Sequence, residues 1–259
     1  MTKNKKKYYI ILGILGIYFL IMLVVFIIPG ILNKQRETYL LIGNEAKWQY
    51  KDETWEDLED KKEYNWKKFA VYEDNIFLGN YYALLSETWH FYDNKNKPVK
   101  LDSPNFLAIR SNGKYNVANF EEREITEEEM KYVEEVLKDN NITTTKFTAS
   151  NIFNYDLDND KKEEKVFTIS NIFTEEFTEK IFNFIFVVKD DKITVVSKTI
   201  DDFPNMYNNC KMYVDKVIDV NGDNKYEIIT GCEYYSVMGN CLEMYEYSNN
   251  QYHKIKSCN

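Results

Sequence analysis

The sequence predicts a mainly β chain with one clear helix (α+β). An N-terminal transmembrane helix precedes an antiparallel β domain of propeller-like blades or a sandwich. Three observations predict this. No charged residue occurs from Tyr8 to Ile28. Beyond residue 64, short aromatic and β-branched runs alternate with polar turns. A single stretch, beginning at Thr126, carries a full helix-start signal.

The apolar run YYIILGILGIYFLIMLVVFII is long enough, as a helix, to cross the roughly 30 Å core of a bilayer. Lys3, Lys5, Lys6 and Lys7 precede it, so the N-terminus is expected in the cytoplasm and the remainder outside. No small-x-small cleavage site follows the run, which favours a retained signal-anchor over a cleaved peptide. The organisation read from this is a cytoplasmic tail at 1–7, a span at 8–29, a polar acidic stalk at 30–63 and an extracytoplasmic β-rich domain at 64–259.

Within that domain, residues 64–125 read as a first β part. WKKFAVYE, IFLGNYYALL and TWHFYD read as strands, and FLAIR-SNG-KYNVANF reads as a hairpin. The helix spans 126–139: Thr126 and Glu129 form a capping box, and Met130, Val133 and Leu137 share a face. Asn140 and Asn141 end it. Residues 145–259 contain eight further strand-like runs, with Asp190-Asp191 as a tight turn.

The whole chain carries a net charge of −9, and setting aside the four lysines of the tail leaves −13 for the rest. Such a surface excludes nucleic acid and anionic lipid as natural partners and suits cations. The expected partners are the membrane, through one span, and a protein or glycan at the cell surface, met by abundant aromatics such as Trp48, Trp55, Trp66 and Trp89. Cys210, Cys232, Cys241 and Cys258 form no C-x-x-C pair, which argues against zinc. In an exported domain they read as two disulfides. Three connectivities are open; Cys232–Cys241 with Cys210–Cys258 is favoured, because Gly239-Asn240 looks like a turn.

Two stretches repeat each other 63 residues apart, YDLDNDKKEEKV from Tyr155 and IDVNGDNKYEII from Ile218. In register, Asp156, Asp158, Asp160 and Glu164 match Asp219, Asn221, Asp223 and Glu227. The pattern D-x-[DN]-x-D-x3-E suits Ca²⁺, which takes six to eight oxygen ligands. Alternate side chains of a tight loop converge, and clustered carboxylates repel one another without a cation. An EF-hand is excluded, since position six is Lys161 or Asn224 and position twelve is Phe167 or Thr230.

These loops resemble those of bacterial FG-GAP/VCBS-type repeats, also found in integrin-like propellers, within residues 147–248 at most. The resemblance implies calcium-stabilised blades in a surface or adhesion-type protein. Departures are the missing Phe-Gly and Gly-Ala-Pro signatures, Lys161 where glycine is usual, and too few repeats to close a propeller. No H-E-x-x-H, G-x-S-x-G or phosphate-binding loop is present, and His90, between Trp89 and Phe91, reads as a partly buried strand residue. The expected function is therefore a membrane-anchored, non-catalytic binding or interaction module. The alternative is a cell-envelope enzyme or enzyme regulator acting on glycan or peptide.

Overall fold

A computed structural model describes residues 37–43, 46–51, 54–58, 64–86, 88–103, 105–144, 146–172, 180–202, 210–234 and 240–257. The span at 8–29 lies outside them. Among the described residues no helix is long and apolar enough to cross a membrane.

Three antiparallel sheets are present. The first contains β1 (Thr38–Ile42), β2 (Ala46–Lys51), β3 (Thr54–Asp57), β4 (Lys67–Glu73), β5 (Ile76–Leu85), β6 (Trp89–Tyr92), β7 (Pro98–Val99) and β8 (Phe106–Ser111). Its spatial order is β3-β2-β1-β8-β4-β5-β6-β7. Within the segment 30–63, read as a stalk, the described residues instead form strands: β1 lies between β2 and β8, with Leu40 and Leu41 fully buried. The charged residues of 46–57 obscured a short apolar strand, and strand pairing rather than composition decides the segment's fate.

The second sheet comprises β10 (Arg123–Glu124), β11 (Thr148–Tyr155), β12 (Glu164–Ser170), β13 (Lys180–Lys189) and β14 (Lys192–Asp202), in chain order. The third comprises β9 (Asn116–Val117), β15 (Cys210–Asp219), β16 (Glu227–Tyr234), β17 (Asn240–Ser248) and β18 (Gln251–Ser257), ordered β18-β17-β16-β15-β9. The expected FLAIR–KYNVANF hairpin does not form: β8 stays in the first sheet while β9 pairs with β15. Ser111-Asn112-Gly113 is a crossing between sheets rather than a hairpin turn, a distinction that a turn signal alone does not encode.

The second and third sheets are one design used twice. Each is a four-stranded meander with a short strand added beside its first member. The register of β11 with β12 shifts between Asn151 and Phe153, and that of β15 with β16 shifts between Val214 and Lys216. These bulges fall at matching positions of the sequence repeat.

Side-chain alternation builds the core in layers. Leu40, Ile42, Leu107 and Ile109 of the first sheet pack with Ile218, Ile229, Leu242 and Met244 of the third. The third sheet's other face, with Val217, Ile228 and Tyr245, packs with Phe153, Val166, Ile185 and Val187 of the second. The second sheet's outer face presents Phe167, Ile169, Phe182, Phe184 and Phe186 to the helix α1 (Glu127–Asp139). The helix therefore covers a sheet face.

The favoured cysteine pairing is also corrected. Cys232 and Cys241 do face each other across β16 and β17, yet the bond joins Cys210 to Cys232, with Cα atoms 5.3 Å apart. A turn reveals which strand follows, but not which strand lies on the other side. Cys241 is also in a disulfide, and Cys258 lies outside the described residues.

The capping box forms as read: Thr126 Oγ1 accepts from Glu129 N, and Glu129 Oε2 accepts from Thr126 N at 3.1 Å. Glu129 also receives Arg123 through two bonds of 2.7 and 2.8 Å and Lys165 at 3.0 Å. The Arg123 hydrogen bond foremost, against the opposing effect of burial, holds its carboxyl well below the usual glutamate range. A depressed carboxyl stabilises the fold above its unfolded pKa and loses that contribution as pH falls. Glu129→Gln is therefore expected to cost about 1–2 kcal/mol at neutral pH. In denaturant melts, the gap between the variant and the parent should narrow as pH falls below about 4.

Candidate cation loops

Each loop is a chain reversal that turns its acids inward, and the two are built on the same hydrogen bonds. At position one, Asp156 Oδ2 accepts from Lys161 N at 2.9 Å, and Asp219 Oδ2 accepts from Asn224 N at 3.1 Å. At position five, Asp160 accepts from Lys162 N at 2.9 Å, and Asp223 accepts from Lys225 N at 2.8 Å. At position nine, Glu164 accepts from Leu157 N at 2.6 Å, and Glu227 accepts from Val220 N at 2.9 Å. Positions four and six are left-handed in both, with φ of 61° at Asn159, 72° at Lys161, 65° at Gly222 and 66° at Asn224. Lysine in that region costs on the order of 1 kcal/mol, so the hydrogen bond to Asp156 must over-determine it.

The loops also touch. Tyr226 N donates to Leu157 O at 2.8 Å, and the Tyr155 and Tyr226 hydroxyls lie 3.0 Å apart. The Asn116 amide reaches the Tyr226 hydroxyl. On its other side the second loop meets the first sheet, where Thr38 Oγ1 donates to Val220 O at 3.4 Å.

The two loops share these hydrogen bonds but fill the space they enclose differently. In the first, one oxygen each of Asp156, Asp158 and Glu164 gathers within 4.8 Å of the others. The cation there is Lys189, from the end of β13. Its Nζ lies 2.6 Å from Asp158 Oδ2, 2.6 Å from Asp160 Oδ2 and 3.2 Å from Glu164 Oε1. Burial works against the Lys189 charge, and the bonds to the three acids outweigh it, holding the ammonium well above its ordinary value. Burial pushes Glu164 upward, while the Leu157 amide and Lys189 pull it back. The Lys189 hydrogen bond keeps Asp160 low.

No lysine stands at the matching register position of the second cradle. Lys165 pairs with Val188 and Ile228 with Tyr245, so the residue across from Glu164 is Lys189 while its counterpart across from Glu227 is Glu246. Glu227 is 1% exposed, and burial raises it well above the ordinary glutamate value. No lysine or arginine nitrogen pairs with Asn221, Asp223 or Glu227 among the described residues. Asn221 replaces the third acid, its amide donating to Glu227 Oε1 at 3.0 Å. Among the described residues no second acidic trio gathers as tightly as that of the first loop. A flip of the Asn221 amide would turn its carbonyl oxygen toward a cation instead.

Sequence reasoning missed Lys189. The signal was present only as a pairing: it precedes the Asp190-Asp191 turn, and the strand register that sets it against Glu164 is not written in the loop motif. His90, read as partly buried, is exposed; its ring nitrogen lies 3.0 Å from Ser86 Oγ, while Trp89 and Phe91 point into the core.

Lys189→Met leaves three carboxylates without their cation. The pair is partly exposed, so the expected loss is about 2 kcal/mol, between a surface ion pair and a broken buried one. Millimolar calcium should restore part of that loss in thermal melts of the variant, because the vacated cradle then offers only oxygens. Comparisons with family models, curated proteins and solved structures return no match.

Proposed function

We propose that this chain is a membrane-anchored, extracytoplasmic binding or interaction module, without catalysis, whose second loop takes a calcium ion. The observation that carries this reading is the asymmetry of the cradles. The same backbone scaffold closes on an ammonium in the first loop, and in the second presents a buried Glu227 and Asp223 with no cationic side chain. A buried carboxylate is costly unless paired or metal-bound. Calcium supplies the missing charge and accepts the mixed set of carboxylate and amide oxygens. The matching meanders support the blade-like, FG-GAP/VCBS-type reading, and the uncharged run at Tyr8–Ile28 supports the anchor.

Binding is favoured over the alternative of glycan or peptide hydrolysis by the state of the acids. The open cleft of about 730 Å³ between α1 and the β13–β14 turn is lined by Glu135, Asp139, Asp158, Asp190 and Asp191. Three of these, Asp158, Asp190 and Asp191, are engaged by Lys189, Lys162 and Lys131. Carboxylates held in that way are poorly placed to exchange protons with a substrate.

The test is a thermal melt of the full chain with calcium or chelator. Extracellular-type sites bind with Kd on the order of 10⁻⁴–10⁻³ M, so about 10 mM calcium should add roughly 1.5–2.7 kcal/mol. Asp223→Asn, an exposed position, should abolish the response without unfolding the apo protein. The pH dependence has a defined sign. Because burial raises Glu227, the apo fold loses stability as pH climbs past the ordinary glutamate value, and calcium removes that loss. A melting midpoint indifferent to calcium would refute the cation.

A further inference from the structure

We infer that a cleft on the first sheet, remote from both loops in sequence, binds an acidic glycan, with Lys67, Lys68 and Arg110 taking its anionic groups. The inference rests on the reading of the chain as a binding module and names where it binds and what; it does not depend on the calcium loop. The cleft is open and holds about 700 Å³. Lys67 and Lys68 begin β4, and Arg110 stands near the end of β8, so strand pairing brings them to one end of the sheet.

Charge bears on the occupant. The chain has 33 basic against 42 acidic side chains, and several of its lysines are engaged by acids, as at Lys131, Lys162, Lys165, Lys189, Lys254 and Lys256. Lys67, Lys68 and Arg110 have no acidic partner among the described residues. Arg110 makes only a long contact, 3.5 Å, to Lys68 O. The one carboxylate in the lining, Glu37, accepts the Tyr39 hydroxyl at 3.1 Å. Lys67 and Arg110 leave one face of the sheet and Lys68 the other, all at the end where the cleft lies, and in an otherwise acidic domain these cations raise the potential there. An arginine fork beside two lysines suits carboxylate or phosphate groups.

The rest of the lining selects a sugar over a peptide. Tyr39, Tyr64 and Tyr115 are half-buried in the cleft wall, and the Tyr39 and Tyr64 rings lie 4.8 Å apart at 51°. Tilted tyrosines offer flat apolar faces to the C–H faces of pyranose rings while their hydroxyls stay polar. Asn80 is exposed at the rim and Asn112 nearby, and side-chain amides donate and accept at once, as vicinal sugar hydroxyls require. A peptide partner would call for apolar pockets between these groups, whereas among the described residues the fully apolar side chains lining the cleft are Ala70 and Ile109, both buried in the sheet.

The test is calorimetric titration of the full chain with an oligogalacturonate as the acidic probe. A neutral malto-oligosaccharide, poly-glutamate and inorganic phosphate are run in parallel. The expected result is saturable binding of the oligogalacturonate, weakened at least tenfold by the exposed double substitution Lys68→Ala with Arg110→Ala and by raising salt to 0.5 M. Tyr64→Ala should weaken the oligogalacturonate while leaving the response to phosphate unchanged. The double variant should melt where the parent does, and the titration should be the same with calcium or chelator, so a failure of the loop proposal leaves this one standing. Four outcomes overturn the inference: no saturable binding; affinity unchanged in the double variant; equal binding of the neutral sugar; and tighter binding of poly-glutamate, which would make the occupant an acidic peptide.

Discussion

A single hydrogen bond, made twice, organises this molecule: the carboxylate at position nine of each loop accepts the backbone N–H of position two. Glu164 holds Leu157, and Glu227 holds Val220. The bond closes the loop over the start of the strand that follows. It also drives an acid into the interior, where Glu164 is 3% and Glu227 1% exposed. Burial of a carboxylate at that depth creates a demand for positive charge. Leu157 and Val220, the residues so fixed, enter two different cores, one between the second and third sheets and one between the third and the first. The electrostatics of the loops and the packing of the sheets are therefore one constraint.

Much of the fold was legible because strands announce themselves locally. Ile76–Leu85 and the runs from Thr148 to Ser257 form strands close to where alternation and turn residues place them. The capping box at Thr126 is equally local, and it forms. What the sequence hid is non-local. Thr38–Ile42 is five residues long and followed by charged strands, so it read as tether, yet β8 on one side and β2 on the other make it central. Asn116-Val117 looked like the return arm of a hairpin because a turn precedes it, but Ile218 and Asp219 claim it as a partner. Cys232 lies between two cysteine-bearing strands, and only the three-dimensional neighbourhood selects Cys210.

The candidate site divides in the same way. The oxygens were legible, since their spacing is a property of one short loop. The cation was not. Lys189 lies 25 residues beyond Glu164 and reaches it through the β12–β13 register. A motif search reads ligands along the chain; a counter-ion that arrives across a sheet leaves no mark in the motif. Lys67, Lys68 and Arg110 pose the same difficulty, as nothing along the chain signals that they are unpaired.

The positions of the two cradles give the asymmetry its sense. The first loop lies in the second sheet, beside the helix-covered end of the stack, and its lysine is covalently present at all times. The second loop lies in the third sheet, which is packed on both faces. Val220 reaches Thr38 of the first sheet, and Tyr226 reaches Leu157 of the first loop. A charge supplied there acts on contacts to both neighbours, whereas a charge in the first cradle acts within its own sheet and on the third. If a borrowed cation sits in the second cradle, as proposed, its loss loosens the junction on which all three sheets converge. A built-in lysine at that junction would make the stack indifferent to its surroundings. On the proposed reading, a lysine in the outer cradle and an exchangeable ion in the central one would tie the integrity of the stack to the calcium around it.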